Sequence, residues 1–137
     1  VIEAALCMCA YYFTYLNHGW EWGMPMASEG PIYVNATTMS LAGIVACQIG
    51  NIFCCRTERQ SIFKVGFFTN KLLILGILTE IFIILTLIYV PFFQEIFTLK
   101  ALDLDDWLFL ATFPVIILIF EETRKWVSRR FRRGRSI

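Results

Sequence analysis

The sequence predicts an all-α, polytopic membrane bundle of about four transmembrane helices. Of its 137 residues, 58% are hydrophobic and 16% are aromatic, and the mean hydropathy is +0.64. The apolar residues are gathered in blocks, whereas a soluble domain of this size would spread polar residues around every helix. Because a helix needs roughly 20 apolar residues to cross the hydrocarbon core of a bilayer, such blocks indicate membrane spans.

Four spans can be placed along a single membrane domain over 1–137, with a basic tail after the last of them. They cover residues 1–16, 35–55, 72–93 and 105–126, and the tail covers 127–137. The first block is too short for a full span and begins without a charged cluster, so we expect the chain to be part of a longer protein. Pro114 predicts a kink within the fourth span.

The basic residues predict how these spans are oriented. Four of the twelve Lys and Arg residues lie in the connection around 56–71 and seven lie from Arg124 onward, which makes eleven of twelve. The connection over 17–34 has acids and no base, and the one over 94–106 has four acids and one base, Lys100. By the positive-inside rule, the basic connection and both termini are cytoplasmic, and the acidic connections face outward.

The cysteines and the charges at the end of the fourth span are predicted to be structural. All five cysteines lie within or at the ends of apolar blocks, which indicates packing rather than a disulfide framework: Cys7, Cys9, Cys47, Cys54 and Cys55. Glu121 precedes Lys125 by four residues, the favourable orientation for an ion pair on a helix surface. Lys125 and the arginines after it are expected to reach toward the membrane interface.

The second span carries a polar arc. At about 100° per residue, four polar side chains fall within roughly 80° of each other: Thr37, Ser40, Gln48 and Asn51. Gln48 and Asn51 are candidates for offering carbonyl oxygens to a hard cation, and they are equally suited to hydrogen bonds between helices. A separate face is a ridge of small residues that allows close helix approach: Ala42, Ala46 and Gly50.

Glu80 is the single charge near the middle of the third span. An ionised carboxylate at this depth costs at least ~2.5 kcal/mol unless it is paired or hydrated, so such residues are candidates for ion coordination or proton relay. The structural alternative is a protonated glutamic acid that is hydrogen-bonded to a neighbouring helix. Glu80 therefore joins Gln48 and Asn51 as a candidate for the cation site or its surroundings.

The sequence contains no recognisable catalytic machinery. It has no glycine-rich phosphate loop, no nucleophile–base pair and no zinc-ligand spacing, so we expect no catalytic residue, no metal ligand set and no cofactor in this chain. The arginine-rich tail could be interpreted as a nucleic-acid patch. Directly after a membrane span it is better explained as an anchor to anionic lipid, and no nucleic-acid partner is expected.

Four segments in register resemble the C-terminal membrane domain of type II P-type cation ATPases. The segments are 36–51 with 56–63, Tyr89-Val90-Pro91, 99–104 with Trp107, and 120–126. The resemblance implies the last four of ten membrane helices of an ATP-driven pump. The parent would then use ATP and Mg, with its catalytic domains and other membrane helices outside this chain.

The resemblance is divided between calcium pumps and the sodium–potassium and proton–potassium pumps. Residues 100–104 resemble the calcium pump, whereas Gln48, Asn51, Glu80 and 122–125 resemble the other two. In the calcium pumps the position of Gln48 is an acidic cation ligand, and in the sodium pump the position of Asn51 is acidic. In the sodium pump the position of Glu80 contributes to a sodium site. Two amides here imply a less negative site on the second span.

The predicted function is therefore support of the transport helices, with polar groups contributed near the cation site. The expected partners are the lipid bilayer, the parent's remaining helices and cytoplasmic domains, and the transported cation. Two alternatives remain at this stage. One is a freestanding four-helix scaffold or accessory subunit, and the other is a small oligomeric ion channel built on Glu80.

Overall fold

A computed structural model describes residues 1–55 and 71–133, the last three by backbone alone. This part of the chain is helical, without a strand, which confirms the all-α prediction. Its helices are α1 Ile2–Asn17, α2 Pro31–Cys55, α3 Lys71–Tyr89, α4 Pro91–Phe97, α5 Leu104–Leu110 and α6 Thr112–Arg133. Most of the basic connection around 56–71 and the end of the tail lie outside the described residues.

Helix α2 begins at Pro31, four residues earlier than the predicted span. Gly30 precedes it with φ +100°, a backbone conformation that glycine adopts without strain. Proline fits the first helical position because its fixed φ suits a helix and its missing N–H has no partner there in any case. The start of α2 is thus set by the Gly30-Pro31 pair.

The predicted third span, 72–93, is interrupted before its end. Helix α3 ends at Tyr89, Val90 is extended, and a separate short helix begins at Pro91. Proline cannot donate to the carbonyl four residues earlier, and it disfavours helical geometry at the residue before it. The apolar run 90–93 therefore belongs to a turn and to α4 rather than to α3.

The predicted fourth span, 105–126, is divided into α5 and α6 with a break at Ala111. Pro114 lacks the donor for the carbonyl of Leu110, and its ring crowds that same turn. The predicted kink is therefore a break about one turn before the proline. A capping box between Asp103 and Asp106 begins α5, because each side chain accepts from the other residue's backbone N–H.

Two helices in the described residues are long and apolar enough to cross a membrane, namely α2 and α3. Helix α1 has 16 residues, and the fourth apolar block is split between α5 and α6. Of the four predicted spans, the second and third therefore contain helices long enough to cross a membrane, although the third ends four residues early; the first is short and the fourth is divided.

Helix α2 is the centre of the bundle, and α1, α3 and α6 all pack against it. Gly50, one member of the predicted ridge of small residues, lies where α6 approaches: a Cβ on Gly50 would lie 3.1 Å from Pro114 Cα and 3.2 Å from Ile117 Cβ. A Cβ on Gly43 would lie 3.2 Å from the Phe113 ring. Close backbone approach of α2 and α6 thus depends on the absence of side chains at these positions.

Candidate functional site

Asn51 and Glu3 form a direct contact between two helices. The Asn51 side-chain amide donates a hydrogen bond to the Glu3 carboxylate, which joins the first turn of α1 to the end of α2. Both residues are half-buried. The amide that was predicted either to bind a cation or to hold helices together therefore does the second here, and it brings a carboxylate beside α2.

A polar cleft of about 170 Å³ lies at this contact. Its lining includes Glu3, Asn51, Cys54 and Glu121, together with apolar side chains from α1 and α6. Two carboxylates thus face one small space, contributed by the beginning of α1 and by α6.

Lys125 supplies a positive charge beside the carboxylates of this cleft. It lies toward the end of α6 that is predicted to be cytoplasmic. Its side chain is only 3% exposed, its Nζ donates to the carbonyl of Cys54 at 3.3 Å, and Nζ lies 3.7 Å from Glu121 Oε1. The predicted Glu121–Lys125 pair is confirmed. The expectation that Lys125 reaches out to the membrane interface is wrong, because its ammonium is bound inside the bundle.

Glu80 lies on α3 in a different environment. It lines an apolar groove of about 540 Å³ between α2 and α3, opposite Leu41 and Val45. In residues 1–55 and 71–133 no hydrogen bond or ion pair to its carboxylate is found. The groove is open on one side, so Glu80 is half-buried rather than enclosed.

Gln48 lies on α2 between these two environments. At about 100° per residue it is roughly 60° from Asn51, which faces α1, and roughly 60° from Val45, which faces α3. Gln48 is exposed, as is Ile44 one turn before it. These two residues form a strip of α2 that no helix in the described part of the chain covers. We call it the open strip.

The two other residues of the predicted polar arc, Thr37 and Ser40, make hydrogen bonds within the bundle. Ser40 donates to the carbonyl of Cys7 on α1 at 3.3 Å, and Thr37 donates to the carbonyls of Tyr33 and Val34 in its own helix. Of the four arc residues, Gln48 is thus the one that faces outward without a partner among the described residues. The three predicted site residues are not brought together: Asn51 and Glu80 line separate cavities on either side of Gln48.

Three regions that were predicted to share one side of the membrane lie at one end of the bundle. The beginning of α1 contacts the end of α2 through Glu3 and Asn51, and α6 reaches the same place through Lys125 and Cys54. Of the five cysteines, which were predicted to pack, Cys47 is buried, Cys7 and Cys54 are half-buried, and Cys9 and Cys55 are exposed.

Glu3 was not among the predicted site residues. The available signal was an acid at the edge of an apolar block, but its partner is 48 residues away in the sequence.

Among the described residues, no group of three or more His, Cys, Asp or Glu is arranged to hold a metal ion.

Two helices that are long and apolar enough to cross a membrane, with half-buried carboxylates beside them, indicate a membrane domain. The chain belongs to the family described as "Cation transporting ATPase, C-terminus", whose model matches residues 1–127. This confirms the resemblance to the C-terminal domain of P-type cation ATPases.

Relatives from this class include both calcium and monovalent-cation pumps. The chain is 34% identical over 105 residues to Calcium-transporting ATPase 1 of Saccharomyces cerevisiae, which is 77% of this chain and 11% of that protein. It is 33% identical over 93 residues to the sodium/potassium-transporting ATPase subunit alpha-4 of Rattus norvegicus, which is 68% of this chain and 9% of that protein. The chain thus spans about a tenth of the length of these relatives.

Proposed function

We propose that this chain is the C-terminal membrane domain of an ATP-driven cation pump, and that it supports the transport helices and supplies polar groups near the cation site. The observation that carries the proposal is the open strip: exposed Gln48 lies between the Glu3–Asn51 pair and Glu80 in an otherwise apolar bundle. An exposed amide facing lipid would be costly, which favours cover by further helices of the parent.

We assign four membrane spans to the chain. Helices α2 and α3 would each form one span, and α1 and the pair α5–α6 would form the other two. Helix α1 is about 24 Å long at roughly 1.5 Å per residue, so the described helix would cross most but not all of the ~30 Å hydrocarbon core. Helices α5 and α6 would cross together as one broken span. The bundle end that holds Glu3, Cys54 and Lys125 would be cytoplasmic, in keeping with the basic connection and tail.

Glu3 supplies a negative charge that α2 itself lacks. Gln48 and Asn51 are neutral amides, but the hydrogen bond from Asn51 holds the Glu3 carboxylate against α2. With Glu80 on the other side of the open strip, the two acids flank Gln48 on neighbouring helices. We propose that Gln48 lies nearest to the transported cation, and that the Glu3–Asn51 pair and Glu80, in separate cavities on either side of Gln48, supply polar groups around the cation site.

The energy source lies outside this chain. ATP and Mg would be bound by the cytoplasmic domains of the parent, and the transported cation would be its substrate. The relatives, in which the matching region is about a tenth of a cation-transporting ATPase, support this proposal over a freestanding scaffold or a small channel.

The test uses the full-length polypeptide that contains this chain, in native membranes. Cation-stimulated ATP hydrolysis is measured for wild type, Gln48→Leu and the control Ile44→Leu, which changes the neighbouring turn of the same exposed strip. The proposal predicts a raised half-saturating cation concentration for Gln48→Leu and an unchanged one for Ile44→Leu. Equal cation dependence in all three proteins would contradict a role for the open strip.

A further inference from the structure

Two cysteines from different helices, Cys7 of α1 and Cys47 of α2, face each other inside the bundle. Both are free thiols, and the Cys47 thiol donates a hydrogen bond to the Cys7 sulfur. Cys47 is fully buried, whereas Cys7 is half-buried. We call these two residues the thiol pair.

The thiol pair lies between two other contacts of α1 with α2. On one side is the hydrogen bond from Asn51 to Glu3, which is one helical turn away on each helix. On the other side, a Cβ on Gly43 would lie 3.7 Å from the Ala10 Cβ, so the two helices approach each other closely there. Contacts on both sides therefore hold the two sulfur atoms opposite each other.

The number of ligands limits which metal ion the thiol pair suits. In residues 1–55 and 71–133 no group of three or more His, Cys, Asp or Glu is arranged to hold a metal ion, so the Glu3 carboxylate does not complete a set of three with the two thiols. Zinc takes four ligands in a tetrahedron, which this pair does not offer. Thiolates are soft ligands, and two of them facing each other suit a soft cation that binds two sulfurs in a line.

The charge of the complex distinguishes between such cations. Two thiolates neutralise a divalent cation, whereas they leave a net negative charge on monovalent copper or silver. A charge in apolar surroundings is costly unless it is compensated. The charged side chain that acts on both thiols is Glu3, and a carboxylate would repel an anionic complex. Divalent mercury is therefore favoured over the monovalent ions.

We propose that Cys7 and Cys47 form a binding site for one mercuric ion, held as two thiolates between α1 and α2. Each thiol gives up its proton, and two chloride ions leave when mercuric chloride is the source. Half-buried Cys7 would bind first, and fully buried Cys47 would then close the site. The bound ion would tie α1 to α2 one turn from the Glu3–Asn51 pair. The inference rests on the packing of α1 against α2 and not on the cation site.

The test detects the mercury bridge by mass. The full-length polypeptide in detergent is treated with mercuric chloride, its remaining thiols are blocked with N-ethylmaleimide, and it is unfolded and cut with a glutamate-specific protease. Cleavage after Glu21 and Glu29, both exposed, separates the peptide with Cys7 from the peptide with Cys47. We expect the two peptides to be recovered together, with the added mass of mercury less two protons. Silver nitrate should give no bridged product.

Serine variants identify the two ligands. Cys7→Ser and Cys47→Ser should each abolish the bridged product. The matched controls Cys9→Ser and Cys54→Ser change neighbouring thiols on the same two helices and should retain it. A wild-type yield in Cys7→Ser or Cys47→Ser, or loss of the product in either control, would overturn the proposed site. An equal yield with silver would overturn the preference for a divalent ion.

A second measurement covers a serine variant that packs poorly. Mercuric chloride should raise the unfolding midpoint of wild type and of Cys9→Ser, because the ion binds the folded state and joins two helices. It should not raise the midpoint of Cys7→Ser. Each protein is compared with itself in the absence of mercury, so a change in basal stability cancels. An equal rise in wild type and Cys7→Ser, or no rise in either, would contradict the proposal.

Discussion

The Asn51 side-chain amide donates to the Glu3 carboxylate, so that a residue near the end of α2 holds an acid from the first turn of α1. This hydrogen bond distinguishes the two side-chain amides of α2, Gln48 and Asn51. Asn51 is occupied by a carboxylate of the same chain, whereas Gln48, one turn earlier, is left on the open strip. Asn51 therefore holds α1 and α2 together, whereas Gln48 faces outward.

Removing Asn51 should destabilise the bundle by leaving a half-buried carboxylate without its donor. Asn51→Leu is expected to lower the free energy of unfolding by about 1–3 kcal/mol, the usual cost of an unsatisfied polar group. The double variant Glu3→Leu/Asn51→Leu should recover part of that loss, because neither polar group then remains. Thermal unfolding in detergent measures these losses, and a loss of stability in the double variant that equals or exceeds the sum of the two single losses would argue against the pairing.

Gly50 should not tolerate a side chain. A Cβ at this position would lie 3.1 Å from the backbone of Pro114 and 3.2 Å from Ile117, so Gly50→Val must push α6 away from α2. Overpacking of this kind costs about 1–3 kcal/mol.

Gly76 provides the matched control, since it is also a helical glycine but a Cβ added to it would meet no other part of the described chain within 4 Å. Gly76→Val is expected to change stability by less than about 0.5 kcal/mol, because valine and glycine differ little in helix propensity. Similar unfolding midpoints for Gly50→Val and wild type would show that α6 does not pack where the structure places it.

Lys125 should contribute to stability through its buried ammonium group. Lys125→Met keeps most of the side-chain volume but removes the donor to the Cys54 carbonyl and the partner of Glu121, and we expect a loss of about 1–3 kcal/mol. The control Arg129→Met changes an exposed base near the end of the same helix and should alter stability by less than about 0.5 kcal/mol. If both variants unfold at the same temperature as wild type, Lys125 is solvated rather than bound.

Tyr89 should hold α3 to the beginning of α5. Its hydroxyl donates to the Leu102 carbonyl at 2.9 Å and accepts from Trp107 Nε1 at 2.8 Å. Tyr89→Phe removes both bonds without changing the ring, and the expected loss is about 1–2 kcal/mol. Tyr33→Phe, the same change on half-buried Tyr33 of α2, serves as the control in the same unfolding measurement and should have the smaller effect.

Features that depend on the local pattern of residues could be predicted from the sequence. Hydropathy predicted the helical class and the two spans that became α2 and α3, and four-residue spacing predicted the close approach at Gly50 and the Glu121–Lys125 pair. Proline chemistry predicted a disturbance near Pro114. It did not predict its form, because whether a helix bends or breaks depends on what packs against the turn before the proline.

Contacts between distant residues could not be predicted in the same way. The bond from Asn51 to Glu3 and the one from Lys125 to Cys54 join positions 48 and 71 residues apart, and each depends on how α1 and α6 are placed around α2. Sequence spacing places Gln48 and Asn51 on one arc of a helix. It does not say that α1 covers Asn51 and leaves Gln48 uncovered.

Substituting Glu80 with glutamine is the most direct measurement of the proposed function. The full-length polypeptide is assayed for cation-stimulated ATP hydrolysis and cation uptake in vesicles, with Glu95→Gln as the control because it makes the identical change on an exposed acid of α4. We predict that Glu80→Gln raises the half-saturating cation concentration and that Glu95→Gln does not. Wild-type cation dependence in Glu80→Gln, with or without loss of stability, would contradict the proposed place of Glu80 near the cation site.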